Sequence, residues 1–234
     1  MDTRNDSLRL GLLCLLASEP SDIHQHVMTL AHLAAQSSTV VELGTRTGVS
    51  TLALFLGGIG RAPTRGPDIG GGWNARSFAL RTFDIADCWP DVDRNLHRLV
   101  SAYRETLGAH LYRYSGNGDD SWENEALGAL RESFRRHVEV SQQDSVKAVA
   151  SMLPGSVSML FIDTTHTLEQ TRAELEVWDE RIAPLGMIVG HDSHHPDYGV
   201  REAVLAFAAR NVERYYPPAL HDWNNGLFIL RRRS

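Results

Sequence analysis

Acidic and histidine side chains follow two apolar stretches, in a pattern that suits metal binding. Asp163 directly follows the apolar run 157–162, His166 comes three residues later, and His191 and Asp192 follow a second apolar run, 187–189. Two carboxylates, completed by water and substrate oxygens, can hold a divalent ion, and magnesium is the first expectation. Because an imidazole such as His191 shifts the preference toward manganese, iron or another transition ion, the metal identity stays open.

A glycine loop stands between a β-branched run and an apolar helical pattern. The run 39–43 predicts a strand, Gly44 to Gly48 a turn, and 49–56 the start of a helix. Small residues at such a turn leave backbone amides free for a polar ligand. A dinucleotide fingerprint needs G-x-G-x-x-G, but its second and third glycine positions hold Arg46 and Val49, which disfavours an NAD site.

The rest of the chain continues this alternation of strands and helices. Further strands are predicted at 80–85, 137–140, 157–162 and 187–189, and further helices at 92–107, 144–153, 168–182 and 200–212. Asn224-Asn225-Gly226 predicts a closing β-hairpin. The fold class is therefore α/β, a doubly wound, mostly parallel sheet with right-handed crossovers and an antiparallel C-terminal hairpin.

The strands and helices divide into a cap and a core. Residues 1–38 predict an N-terminal helical cap of two helices, 1–17 and 22–36, the second capped by Ser21. Residues 39–234 form the core, with insertions near 57–76 and 109–134 that are predicted to be peripheral. The first insertion is interpreted as a surface loop, or as a cover for an acidic or aromatic substrate.

Composition narrows the class of protein. With 234 residues, 42% hydrophobic content and 22% charged content, a single globular domain is expected. A net charge of −6 argues against binding to nucleic acid or to an anionic membrane, and so favours a small-molecule partner. Cys14 and Cys88 suggest neither a disulfide framework nor a zinc site, and the apolar run 8–17 is too short to span a bilayer, so a cytoplasmic setting is expected.

The segment from Val40 to Ser50 resembles the first motif of the class I S-adenosylmethionine-dependent methyltransferases, E/D-x-G-x-x-x-G. This resemblance implies a Rossmann-like methyltransferase fold with seven strands, the last one antiparallel. It also implies that the loop cradles the amino-acid end of the cofactor. The implied cofactor contacts are Glu42, Gly44, Thr45, Gly48 and Ser50.

Acids after the second and third strands extend the same resemblance. Asp84 stands where the family carries an acid that accepts hydrogen bonds from the ribose hydroxyls, with Asp87 as a competitor. Asp144, followed by Ser145, stands where the family binds the adenine amino group. Asp144 is equally well explained as a helix N-cap, and both roles remain open.

The pattern Ile162-Asp163-x-x-His166, with Gly190-His191-Asp192, resembles the subgroup of macrocin O-methyltransferases and cephalosporin-type methyltransferases. The subgroup binds magnesium and methylates hydroxyls of natural products. The resemblance implies that Asp163 is a metal ligand and that His166 is the general base; an acidic pair is common at the place of His191-Asp192. An unperturbed histidine pKa of about 6.5 would leave His166 largely neutral at physiological pH.

Three functions remain in view. The favoured one is a metal-assisted O-methyltransferase that acts on a small-molecule hydroxyl, with the N-terminal helices as a guess for a homodimer surface. A metal-dependent hydrolase using Asp163, His166, His191 and Asp192, with His194 and His195 as weaker ligands, leaves the glycine loop unexplained. The third is a non-catalytic protein that binds S-adenosylmethionine.

Overall fold

A computed structural model describes residues 3–18, 20–60, 78–103, 105 and 121–234 of the chain. The predictions for residues 61–76 of the first insertion and 109–120 of the second lie outside these residues. In chain order the main elements are α1 (Thr3–Ser18), α2 (Val27–Ala35), β1 (Thr39–Leu43), α3 (Val49–Ile59), β2 (Ala79–Asp84), α4 (Trp89–Tyr103), α5 (Ser121–His137), β3 (Val138–Gln142), β4 (Val157–Ile162), α6 (Leu168–Trp178), β5 (Ile182–His191), α7 (Val200–Arg210), β6 (Ala219–His221) and β7 (Leu227–Arg231).

These strands form a seven-stranded sheet in the order β3-β2-β1-β4-β5-β7-β6. Strands β1 to β5 pair in parallel, whereas β7 runs antiparallel to both of its neighbours. The predicted fold class is confirmed. The chain order reverses between β1 and β4, and in open α/β sheets ligands bind beyond the carboxyl ends of the strands at such a point.

Both faces of the sheet are covered, which explains why β4 is apolar at every position except Ser158. Along this strand Met159 and Phe161 belong to one buried cluster, whereas Leu160 and Ile162 belong to the other. Side chains that alternate between two cores leave no polar face, as expected for a central parallel strand. The first core packs on α1 to α5 and the second on α6 and α7.

The helix α5 corrects the expectation that the second insertion is peripheral. Leu130 and Phe134 are fully buried in the first core. The ring of Phe134 meets Phe55 edge-to-face at 5.0 Å and stacks on Trp89 at 6.1 Å. Because only one narrow stripe of this polar helix is apolar, its periodicity is weak, and its contribution to the core was not predicted.

Local boundaries also differ from the predictions. Ser21 caps no helix, because the second helix is entered through a 3₁₀ turn, His24–His26, whose N-terminal residue makes no side-chain cap. The predicted helix 144–153 is only the short 3₁₀ turn Lys147–Ser151. Strand β5 is longer than the predicted 187–189. Within the described residues, no helix is long and apolar enough to cross a membrane.

Candidate active site

The carboxyl ends of β4 and β5 bring three of the predicted site residues together. Asp163, His191 and Asp192 are all buried, and one ligand atom from each lies within 4.8 Å of the others. The Asp163 amide donates to the Leu43 carbonyl at 2.8 Å, which fixes the end of β4 against the end of β1. The predicted metal ligands therefore form one compact cluster.

His166 lies against the same cluster, bridging its two carboxylates. Its Nε2 is 3.0 Å from Asp163 Oδ1 and 2.9 Å from Asp192 Oδ2. Both His166 and Asp192 have a backbone φ of 61°, a left-handed conformation that costs free energy in a residue other than glycine. The surrounding structure holds this geometry, since the Gly199 amide donates to the His166 carbonyl at 3.0 Å.

The bridge corrects the expected charge of His166. Burial opposes its protonation, but hydrogen bonds to Asp163 and Asp192 outweigh burial and raise the pKa of His166 to about 9. Burial lowers the pKa of His191 as well, but the two nearby carboxylates outweigh it and raise that pKa to about 10. The two imidazoles in turn lower the pKa of both carboxyls, although burial opposes this. At neutral pH this raised pKa favours the protonated imidazole in this arrangement, whereas the sequence expectation used the unperturbed histidine pKa, which does not include these two neighbours.

His191 has a buried nitrogen without a hydrogen-bond partner. Its Nε2 donates to the Asn224 carbonyl at 3.3 Å, while Nδ1 lies 3.1 Å from Asp192 Oδ2 and 3.5 Å from Asp163 Oδ1. Nδ1 makes no aligned hydrogen bond despite these short distances. An unpartnered imidazole nitrogen facing two carboxylates is a donor set that suits a divalent transition ion, so these residues fit a metal.

His26 was missed by the sequence reasoning, although it touches the cluster. It lies in the turn before α2, is fully buried, and meets the His191 ring edge-on at 5.3 Å. Its Nε2 donates to the Asn224 carbonyl at 3.1 Å, across 198 positions of the chain. A single histidine at a helix start carries no local signal for such a contact.

In the glycine loop, Gly44 and Gly48 are required by packing. Gly44 has a φ of +89°, and a Cβ there would lie 2.0 Å from the Asp163 carbonyl oxygen. Gly48 has a φ of +80°, and its Cβ would lie 2.6 Å from Val92 Cγ2. The first glycine thus lets the loop pass directly against the backbone that carries the carboxylate cluster.

Glu42 is fully buried beneath this loop. Its carboxylate accepts hydrogen bonds from Ser50 Oγ at 2.5 Å and Thr51 Oγ1 at 2.6 Å, which braces β1 against α3. Burial raises the pKa of Glu42 to about 7, although these hydrogen bonds oppose the rise. Its described contacts are internal to the fold.

Asp84 uses loop amides that we expected to be free. Its Oδ2 accepts from the Thr45 amide at 3.0 Å and from the Arg46 amide at 3.1 Å, while Oδ1 accepts from the Ala86 amide. The expectation of free amides is therefore wrong for these two. The competitor Asp87 accepts from the Trp89 amide at 3.3 Å, at the start of α4.

Beside the glycine loop lies a cleft of about 440 Å³. Of the predicted site residues, Thr45, Ser50 and Asp163 line it. The N-terminal segment forms another wall, where Asp22 pairs with Arg46 at 2.6 Å. The complete lining is Pro20, Ser21, Asp22, Ile23, Thr45, Arg46, Thr47, Val49, Ser50, Asn95, Arg98 and Asp163.

Residues 41–193 match the methyltransferase domain family. The chain belongs to this family. Solved structures share its fold: a Corynebacterium glutamicum protein is 13% identical with a TM-score of 0.56, covering 100% of this chain and 91% of its own. A putative caffeoyl-CoA O-methyltransferase from Staphylococcus aureus is 11% identical with a TM-score of 0.55, and the match covers 89% of this chain and 83% of that one. A Bacillus cereus O-methyltransferase in complex with SAH is 13% identical with a TM-score of 0.52, and the match covers 100% of this chain and 92% of that one.

No curated protein sequence matches the chain. The family match and the sheet order together nevertheless assign it to the class I S-adenosylmethionine-dependent methyltransferases. The predicted family is thus confirmed at this level.

In this methyltransferase, the loop after β3 is anchored by side chains of its own residues. Asp144 Oδ1 accepts from the Lys147 amide at 3.0 Å, but the 3₁₀ turn that begins there has Val146 as its cap residue and no side-chain cap, so the expected helix N-cap is not formed. Ser145 Oγ donates to the buried Glu174 at 2.5 Å, and Thr164 donates to the other oxygen of that carboxylate at 3.0 Å. Glu174 therefore ties the loop predicted to bind adenine to the loop that follows Asp163.

The two weaker histidine candidates of the methyltransferase lie outside the cluster. His194 is exposed and 3.4 Å from Asp222. His195 stacks on Tyr198 at 4.0 Å, and the same Tyr198 ring stacks on His166 at 4.9 Å. Among the described residues, the group able to hold a metal is therefore limited to Asp163, His191 and Asp192.

Proposed function

We propose that this methyltransferase transfers the methyl group of S-adenosylmethionine to a hydroxyl of a small molecule, with the help of a divalent metal ion. The observation that carries the proposal is the buried cluster of Asp163, His191 and Asp192, with His166 against it, next to the glycine loop. Natural products with several hydroxyls are the proposed acceptors, following the subgroup resemblance of Asp163 and His166.

The three ligands of the proposed metal site are Asp163, His191 and Asp192. A divalent ion held there would supply positive charge, which would favour the ionised hydroxyl of an acceptor and offset the carboxylate charge that raises the pKa of His166. Magnesium remains the first proposal, and the imidazole of His191 makes manganese a close second.

The proposed role of His166 is to take the proton of the acceptor hydroxyl. Its Nε2 faces the carboxylates, where a hydroxyl bound beside them would lie. The left-handed backbone at His166 and the Tyr198 ring against the imidazole hold this nitrogen in place. Proton transfer by a positioned imidazole of this kind typically contributes about 10²- to 10⁴-fold to the rate.

The cofactor contacts proposed by resemblance differ in how they act. Thr45 and Ser50 line the cleft, so direct contact with the amino-acid end of the cofactor is proposed for them. Glu42, Gly44 and Gly48 would act by shaping the loop. Asp84 is proposed for the ribose, and Asp144 with Ser145 for the adenine, with the Ser145 contact through its backbone because its hydroxyl donates to Glu174.

The hydrolase alternative needs more ligands than the described residues bring together. A two-metal site would require His194 and His195 near the cluster, but one pairs with Asp222 and the other stacks on Tyr198. Family membership also gives the glycine loop a use that hydrolysis leaves unexplained. These observations support methyl transfer over hydrolysis.

The test is transfer of a labelled methyl group from S-adenosylmethionine to a panel of hydroxylated small molecules, with magnesium or with a chelator. We expect turnover that needs the divalent ion and that falls by about 100-fold or more in His166→Ala. His195→Ala is the matched control, because it removes a histidine stacked on the same Tyr198 ring. Full activity of His166→Ala contradicts the base, and full activity in chelator contradicts metal assistance. Cofactor binding without transfer favours the non-catalytic alternative.

A further inference from the structure

One backbone carbonyl serves two buried histidines. The Asn224 oxygen lies 3.1 Å from His26 Nε2 and 3.3 Å from His191 Nε2. The turn of the hairpin directs this oxygen toward them, because Asn224 and Asn225 have left-handed backbone conformations with φ values of 46° and 64°. A carbonyl oxygen has two lone pairs and can accept both hydrogen bonds.

The direction of these hydrogen bonds follows from the indole of Trp223. Its Nε1 lies 3.3 Å from His26 Nδ1, and an indole nitrogen can only donate. His26 Nδ1 is therefore the acceptor, and the proton of this imidazole is on Nε2, which donates to Asn224. His191 donates to the same oxygen through its own Nε2. Its Nδ1 is thereby directed at Asp163 and Asp192.

Contacts around the turn restrict movement of this arrangement. The His26 ring packs edge-on against the His191 ring, with 5.3 Å between the ring centroids. Asn224 Nδ2 donates to the Asp22 carbonyl at 2.6 Å, and the His194 amide donates to the Asn225 carbonyl at 2.7 Å. The hairpin is thus joined both to the N-terminal segment and to the loop that carries Asp192.

We propose that His26 is a positioning residue that holds His191 as a metal ligand, through the shared Asn224 carbonyl and the contact between the two rings. The proposal rests on the metal site of the proposed function. Hydrogen bonds to the second nitrogen of a ligating histidine commonly fix its orientation and tune the affinity of the site. A residue outside the family match, 41–193, thereby takes part in metal binding.

The test is titration of the purified protein with Mn²⁺, with free Mn²⁺ followed by electron paramagnetic resonance. We expect His26→Ala to bind Mn²⁺ about 10- to 100-fold more weakly than the wild type. His26→Gln keeps a donor near the position of Nε2 and should recover much of the affinity. The matched control is His32→Ala, an exposed histidine of α2, which should bind as the wild type does.

A second measurement needs no metal. Nitrogen NMR of the wild type should show His26 as the Nε2–H tautomer, and Trp223→Phe should remove this preference. In the Mn²⁺ titration described above, Trp223→Phe should weaken binding less than His26→Ala does. If His26→Ala fails to fold, Trp223→Phe carries the test, because Trp223 is mostly exposed.

The outcomes separate the two proposals. Equal Mn²⁺ affinity in the wild type and the folded His26 variant overturns the positioning role and leaves the metal site standing. An Nδ1–H tautomer at His26 overturns it as well. If the wild type binds no Mn²⁺, the metal part of the proposed function fails, and the role of His26 fails with it.

Discussion

The glycine loop and the carboxylate cluster lie at the same edge of the sheet, yet their polar groups are arranged in opposite ways. Beneath the loop, Glu42 is hydrogen-bonded by Ser50 and Thr51, and Asp84 accepts from two loop amides. In the cluster, the buried Nδ1 of His191 has no hydrogen-bond partner. Left-handed backbones occur in both regions, at Arg46 of the loop and at His166 and Asp192 of the cluster, so the contrast lies in the hydrogen bonding.

This difference separates a framework from a binding site. A loop whose charged groups are satisfied internally is already in its final shape, so a ligand meets a preformed wall. Buried groups that face one another without full pairing are costly unless a ligand or an ion completes them. We therefore expect changes in the loop to affect folding, and changes in the cluster to affect metal binding.

The largest effect is expected at the point where the two regions touch. In Gly44→Ala the new Cβ would lie 2.0 Å from the Asp163 carbonyl oxygen, at a φ of +89°. We expect a loss of about 3 kcal/mol or more in the free energy of unfolding, measured by denaturant titration. Gly128→Ala is the control, because no atom lies within 4 Å of its Cβ and alanine favours a helix. Equal stability of the two variants would show that the loop is not packed on the cluster as described.

Next comes the cluster itself. Asp192→Asn removes one of the two carboxylates that face His191 Nδ1, and we expect Mn²⁺ affinity to fall by at least about 100-fold, which is about 2.7 kcal/mol. The exposed Asp222, which pairs with His194, provides the control Asp222→Asn. Unchanged Mn²⁺ binding in Asp192→Asn would mean that the metal, if bound, is held elsewhere.

The loop region has a smaller effect that depends on pH. Because burial raises the pKa of Glu42 to about 7, the folded state binds more protons than the unfolded state between about pH 4.5 and 7. The contribution of Glu42 to stability is therefore present at low pH and is lost as the pH rises through 7. In Glu42→Gln this loss is absent, so its stability relative to the wild type should increase by about 2 kcal/mol from pH 5 to pH 8.

Chemical denaturation at both pH values measures this change, with the exposed Glu180→Gln as control. If the free energies of unfolding of Glu42→Gln and the wild type differ by the same amount at both pH values, Glu42 is ionised throughout, and water reaches it more than its burial indicates.

The sequence predicted the sheet because its signals are local. The apolar run of β4 has the bounds that were predicted, 157–162, and the Asn-Asn-Gly turn lies between β6 and β7. The strand ends also predicted that Asp163, His191 and Asp192 would meet, since parallel strands place their carboxyl ends at one edge. These inferences need only periodicity and topology.

Other features depend on contacts between distant parts of the chain. The raised pKa of His166 depends on Asp163 and on Asp192, which is 26 positions away, and His26 reaches the cluster through a hairpin near the C-terminus. The amides of Thr45 and Arg46 are used by Asp84, which follows a different strand. A single sequence gives no distance between such residues, so these roles became visible only in the folded chain.

The smallest expected effect tests whether the strained His166 is held by its neighbours. Thr167 caps α6 by accepting from the Gln170 amide at 3.2 Å, directly after the left-handed His166. Thr167→Ala should lower the free energy of unfolding by about 1 kcal/mol, whereas Thr167→Ser should retain the cap and most of the stability. If the cap also holds His166, hydrogen exchange at the amides of 166–170 should rise more in Thr167→Ala than global unfolding accounts for. Exchange that rises equally throughout the domain would assign the strain at His166 to the carboxylates of the cluster alone.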